Sequence, residues 1–142
     1  MWADTLLRAE QQHLLRLLIW AAACVLAATA IQATITVRRI RSPLLHHFSI
    51  QTAAWGIVIG AIAANNLRTV ALRDLAGAAR LERLAWLASG LDAGCAIAGI
   101  TLAVAGWTMA RRMAVVGAGL GIAVQGLALL VMELQFAAIV SR

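Results

Sequence analysis

No lysine and no tyrosine occur in the 142 residues, proline occurs once and cysteine twice. All twelve basic residues are therefore arginine, and alanine, glycine and leucine fill much of the rest, as in proteins encoded by a GC-rich bacterial genome. Cys24 and Cys95 stand singly in apolar runs without C-x-x-C spacing. That excludes a dithiol or zinc centre built on cysteine pairs and marks both as small core residues. A Walker loop, an H-E-x-x-H segment, a zinc spacing and a Ser-His-Asp set are also missing. No catalytic residue and no metal are expected, and the chain is not expected to be an enzyme. Acidic residues number six against twelve arginines, a net charge of +6. In a soluble chain this excess would favour nucleic acid, but these arginines flank apolar runs instead of forming an aromatic-interleaved patch. Their expected partners are lipid phosphates and partner carboxylates, and no nucleic acid.

What the chain has in abundance is hydrophobicity. Hydrophobic residues make up 63% and charged residues 13%, and the mean hydropathy is +0.87, outside the range of soluble globular domains. Four apolar runs, 14–36, 44–67, 84–108 and 115–139, are each long enough to cross a bilayer. The expected fold is all-α: one polytopic membrane domain over 1–142, an up-down-up-down bundle of four transmembrane helices. Arg16, Leu17 to Ala27 and the small triplet Ala28 to Ala30 imitate a signal peptide, and the first span is expected to be retained. Pro43 suits the first turn of the second span. Arg38, Arg39, Arg41, Arg111 and Arg112 lie on one side; Arg8, Arg16, Arg68, Arg73, Arg80, Arg83 and Arg142 lie with the termini. This slight excess places the termini in the cytoplasm, with the protein multi-pass in the bacterial inner membrane.

Helices in lipid associate through close backbone approach, and three G-x-x-x-G pairs are available for helix packing: Gly56 and Gly60, Gly90 and Gly94, Gly117 and Gly121. Trp20, Trp86 and Trp107 fall near span ends, as an interfacial belt requires. Helical spacing predicts an inward stripe of Gln51, Trp55, Val58, Ile62 and Asn65 in span two. In span three it predicts Ser89, Asp92, Ala96, Gly99, Ala103 and Gly106; in span four, Gly117, Gly121, Gln125, Ala128, Met132 and Gln135.

Asp92 is the sharpest of these, because a carboxylate inside an apolar span needs a partner or a polar cavity. Folding the chain back near Arg111 brings Asp92 about level with Leu130, close to Glu133. The same leaflet receives Asn65, Asn66 and Arg68 from span two and His13 and Arg16 from span one. An intramembrane polar network of Asp92, Glu133, Asn65, Asn66, Arg16, Arg68 and Gln125 is expected, with Arg16 or Arg68 paired to Asp92 or Glu133. A proton or solute site at the carboxylates is the alternative. His46 and His47 lie in the opposite leaflet, so two axial haem ligands are not provided within one bundle. No cofactor is predicted; His46 and His47 are candidates for contact with lipid headgroups or a pigment.

The segments QTAAWG (Gln51 to Gly56), WLASGLDAG (Trp86 to Gly94) and GLGIAVQGLALLVMEL (Gly119 to Leu134) resemble the recurring blocks of an uncharacterised family of small four-helix bacterial membrane proteins, a domain of unknown function. That family's pattern has an aromatic residue where this chain has Cys95 and an Asp where it has Glu133. The resemblance implies a bundle and supplies no activity. Two functions are then expected in order: a non-catalytic accessory or structural subunit of a larger membrane complex, respiratory or photosynthetic, or a small proton-coupled transporter or channel using Asp92 and Glu133. Partners would be membrane lipids and other membrane subunits, or a homo-oligomer.

Overall fold

In the computed structural model, which describes residues 2–109 and 111–141, the chain forms four α-helices. These are α1 (Trp2–Val37), α2 (Pro43–Thr69), α3 (Leu75–Thr108) and α4 (Met113–Val140). All four are long and apolar enough to cross a membrane. Arg142 lies outside the described residues.

Local chemistry sets the connections. Pro43 stands in the first turn of α2, where its missing N–H costs nothing, and Ser42 Oγ accepts the Leu45 N–H at 3.3 Å. Asp74 caps α3 by accepting the Gly77 N–H at 2.7 Å. Both α1 and α3 end on a residue with left-handed backbone, Arg39 (φ 52°) and Arg111 (φ 45°). The N–H of the next residue then turns back, Ile40 to the Ile35 carbonyl at 3.0 Å and Arg112 to the Gly106 carbonyl at 2.9 Å. Each turn satisfies a carbonyl that the helix end would otherwise orphan.

Two helices begin well before their apolar spans, at Trp2 instead of residue 14 and at Leu75 instead of residue 84. Leu6, Glu10, His13, Leu14 and Leu17 recur at helical steps and are all buried, so the amphipathic lead is a packed part of α1. Ala78 and Ala85 do the same for α3.

The tightest packing is between α3 and α4. Buried positions on α3 follow helical steps of three, four and seven through Ala85, Ser89, Ala96, Gly99, Ala103 and Gly106. Val116, Gly119, Ala123, Gly126 and Ala137 answer them on α4, in the opposite order along the chain. A Cβ on Gly119 would stand 2.5 Å from Ala103 N, and one on Gly126 would stand 2.5 Å from Ala96 N. Backbones therefore meet where side chains are absent.

A second face of α4, Gly117, Gly121, Gln125 and Leu129, is buried toward α2 and α1. A Cβ on Gly121 would press on Gln51 Cβ at 2.9 Å. Gly56 of α2 backs onto Ala21 and Cys24 of α1, where an added Cβ would lie 3.0 Å from the Cys24 Cβ. Leu14, Leu17, Ala21, Ile59, Ala63 and Leu129 close the centre of this three-helix unit. Among the described residues the backbone of α3 approaches α4 and neither α1 nor α2.

Two expectations about helix faces are corrected. The buried face of α2 is Ser49, Thr52, Gly56, Ile59 and Ala63, whereas Val58, Ile62 and Asn65 are exposed. Gly56 decides the rotation, because only its side of the helix lets α1 come so near. On α3, Gly90 and Gly94 meet nothing within 4 Å, and the close approach belongs to Gly99 and Gly106, seven residues apart. Large apolar side chains such as Ile19, Leu26, Leu87 and Ile97 stand 60% exposed or more.

Candidate functional site

At the end of the bundle that holds the chain termini, α3 stands away from α1 and α2 and leaves a cleft. Glu10, His13 and Leu17 of α1, Asn66 of α2, Leu84 and Ala88 of α3, and Glu133 and Phe136 of α4 are among its walls. The lining is mostly apolar, with a few polar groups converging from separate helices, the general form of a binding site.

His13 and Glu133 form the polar centre. The His13 Nε2–H donates to Glu133 Oε1 at 3.1 Å, and their side chains are only 9% and 13% exposed. The His13 ring also stacks on Phe136, with centroids 4.3 Å apart and planes 10° from parallel. One face of the imidazole is thus held by packing and one edge by the carboxylate.

At the mouth, Glu10 is buried and binds Arg73 from the α2–α3 connection through two hydrogen bonds, Nε to Oε2 at 2.8 Å and Nη2 to Oε1. The fork matches a bidentate carboxylate pair. Donating these hydrogen bonds to the Glu10 carboxylate holds the Arg73 guanidinium pKa above its ordinary range. This clamp ties the connection to α1, although α1 and α3 have no backbone contact.

Asp92 sits half-buried on the α3 seam, where its backbone carbonyl faces Gly126. Side chains lean toward the N-terminus of their own helix, so Asp92 and Glu133, on oppositely running helices, lean toward one another. Asp92 has no hydrogen bond among the described residues, a costly state for an ionised group away from water.

The remaining predicted residues separate. Arg16 donates to Gln135 Oε1 at 3.4 Å and, among the described residues, pairs with no carboxylate. Arg68 and Asn65 are exposed, and Asn66 reaches the cleft wall. Gln125 is only 1% exposed and forms a separate centre. It accepts from Trp20 Nε1 at 2.9 Å and donates to Cys24 Sγ at 3.1 Å, so Trp20 serves the interior and not an interfacial belt. Trp86 and Trp107 are exposed.

At the opposite end, Gln32 Nε2 donates to Ser49 Oγ at 2.6 Å and to the His46 carbonyl at 3.2 Å. The His46 and His47 rings meet edge to face at 5.4 Å. Among the described residues no group of three or more His, Cys, Asp or Glu could hold a metal ion. Sequence reasoning missed Glu10, Arg73 and Phe136 as site residues. The signal available for Glu10 was its helical step to His13, Leu14 and Leu17.

Neither the curated proteins nor the solved structures include a match to this chain. A family profile does match, over residues 16–134, a stretch that contains Asp92 and Glu133 but begins after Glu10 and His13. The chain therefore belongs to DUF6992, a family of unknown function.

Proposed function

We propose that this is a multi-pass protein of the bacterial cytoplasmic membrane, an up-down-up-down bundle with cytoplasmic termini, serving as a non-catalytic accessory subunit of a larger membrane complex. Membrane embedding rests on the apolar surface: in water, so many exposed Leu and Ile side chains would drive aggregation. The subunit role rests on one observation. The cleft between α3 and the α1–α2–α4 unit ends against the packed layer of Leu14, Leu17, Ile59, Ala63 and Leu129. Below that layer the buried Gln125 is satisfied by Trp20 and Cys24. A cleft closed in this way suits holding a partner segment more than passing a solute. Native gel separation of the source membranes tests the reading. The protein should migrate with a large complex, and Ala88→Trp in the cleft should release it with its helical content intact. Migration alone, with every major complex unchanged after deletion, removes the proposal.

A second reading is favoured by the convergence of Asp92, Glu133 and His13. Glu133 and His13 line the cleft, and Asp92 follows the lining residue Leu91 on α3; groups of this kind can exchange protons, as a small proton-coupled transporter requires. Asp92→Asn would then abolish a measurable flux in proteoliposomes while the fold persists; an unaltered flux excludes this role.

A further inference from the structure

The bundle end away from the termini is entirely basic. Arg38, Arg39 and Arg41 lie in or beside the α1–α2 turn, and Arg111 and Arg112 form the α3–α4 turn. The two turns are neighbours, because Gly117 of α4 packs against the Leu44 backbone of α2. All six acidic residues, Asp4, Glu10, Asp74, Glu82, Asp92 and Glu133, belong to the other part of the bundle. Among the described residues, none of these five arginines has an ion-pair partner. Five exposed guanidinium groups without a counter-charge from the described residues make this end attractive to anions.

The shape of this end says which anion. An open pocket of about 350 Å³ is walled by Arg41, Ser42, His46 and His47, with Ile35 and Ile40 at its inner edge. The same Ile35 and Ile40 form part of a second, apolar groove with Ile31, Thr34 and Leu45. A largely apolar pocket edged by Arg41, Ser42, His46 and His47 thus shares Ile35 and Ile40 with an apolar groove between α1 and the start of α2. Gln32 engages Nδ1 of His46, which leaves Nε2 for another partner.

The turns carry an independent sign. Arg39 and Arg111 both occupy left-handed backbone positions, which glycine adopts without strain and a side chain with Cβ does not. Arginine at both such positions trades backbone comfort for a guanidinium.

We infer that this end is a seat for one anionic phospholipid, its phosphate against Arg41, His46 and His47 and an acyl chain along Ile31, Ile35, Ile40 and Leu45. Arg39 and Arg111 add charge around the headgroup. The seat lies outside the cleft and rests only on the membrane embedding proposed above, which alkaline carbonate extraction tests separately.

Native mass spectrometry of the full chain, released from detergent with added lipid, tests it. Phosphatidylglycerol should be retained in preference to phosphatidylcholine of the same chains, and inorganic phosphate alone should bind far more weakly than either lipid-bearing phosphate predicts. Arg41→Gln should reduce phosphatidylglycerol retention about fivefold, the equivalent of one basic residue near an anionic lipid surface. Ile35→Asn should weaken it without strengthening retention of phosphatidylcholine. Arg39→Gly should lower retention while leaving thermal stability equal or higher, which keeps the test open if Arg41→Gln fails to fold. Equal retention of the two lipids, equal binding of inorganic phosphate, or unchanged retention in Arg39→Gly and Arg41→Gln would overturn the assignment.

Discussion

His13 and Glu133 are 120 positions apart in the chain and 3.1 Å apart in the bundle, joined by one hydrogen bond and both largely shielded from solvent. The bond ties α1 to α4 at the floor of the cleft, with Phe136 stacked on the same imidazole.

Removing both members should cost less than the two single removals added together. Glu133→Ala leaves the shielded His13 ring without its acceptor, a loss of about 1–3 kcal/mol. Glu133→Gln keeps an acceptor oxygen and should lose less. A double-mutant cycle with His13→Ala, read by thermal unfolding in detergent, should give the double variant a smaller loss than the sum of the single ones. Strict additivity would show that the two side chains do not interact.

Glycines on the two faces of α3 should respond oppositely. Gly99→Ala drives a Cβ to 2.7 Å from the Gly119 carbonyl oxygen and must open the seam, costing about 1–3 kcal/mol. Gly90→Ala and Gly94→Ala enter open space and should be neutral or gain up to about 1 kcal/mol from helix propensity. Thermal melts of the three variants decide the matter, and an equal loss in all three would contradict the observed rotation of α3.

Gln125→Leu should destabilise the chain by about 1–3 kcal/mol by orphaning the Trp20 indole N–H. Trp20→Phe in the same background should recover part of that loss, since it removes the unsatisfied donor. Absence of any recovery would mean that the indole bond is not the origin of the cost.

Arg73→Gln should free the α2–α3 connection. The pair with buried Glu10 is a bidentate, charge-assisted one, so its loss is worth about 1–3 kcal/mol. Because the bond to Glu10 raises the Arg73 pKa, the arginine's share of this stability is fully present below its ordinary range and is lost only as pH climbs through the higher folded value. Hydrogen exchange at residues 70–74 should accelerate in the variant at neutral pH. Unchanged protection would show that the connection is held by its caps alone.

Much of the helical plan was legible in one dimension. Apolar length located four helices, Pro43 began the second of them, and the seam of α3 from Ser89 through Ala96, Gly99 and Ala103 to Gly106 followed from its periodicity. Glu133 and Asp92 were assigned to one level because a tight turn near Arg111 sets how the two helices fold back. The pairing of individual side chains was not legible. Arg16 and Arg68 carried the charge needed to meet a carboxylate, yet Arg16 found Gln135 and the buried carboxylates found His13 and Arg73.

Composition and hydrophobic length by themselves determined that this chain is a set of long apolar helices joined by short arginine-bearing turns, because both properties are sums along the sequence. Which face each helix buries was decided in three dimensions. Gly56 and Gly126 show why: a glycine permits close approach on every helix that carries one, but only the contact with Cys24 or Ala96 makes that approach real. Gly90 and Gly94 have the same spacing as Gly56 and Gly60 and face open space, since α3 can offer only one side to α4 and the seven-residue repeat of Gly99 and Gly106 claimed it.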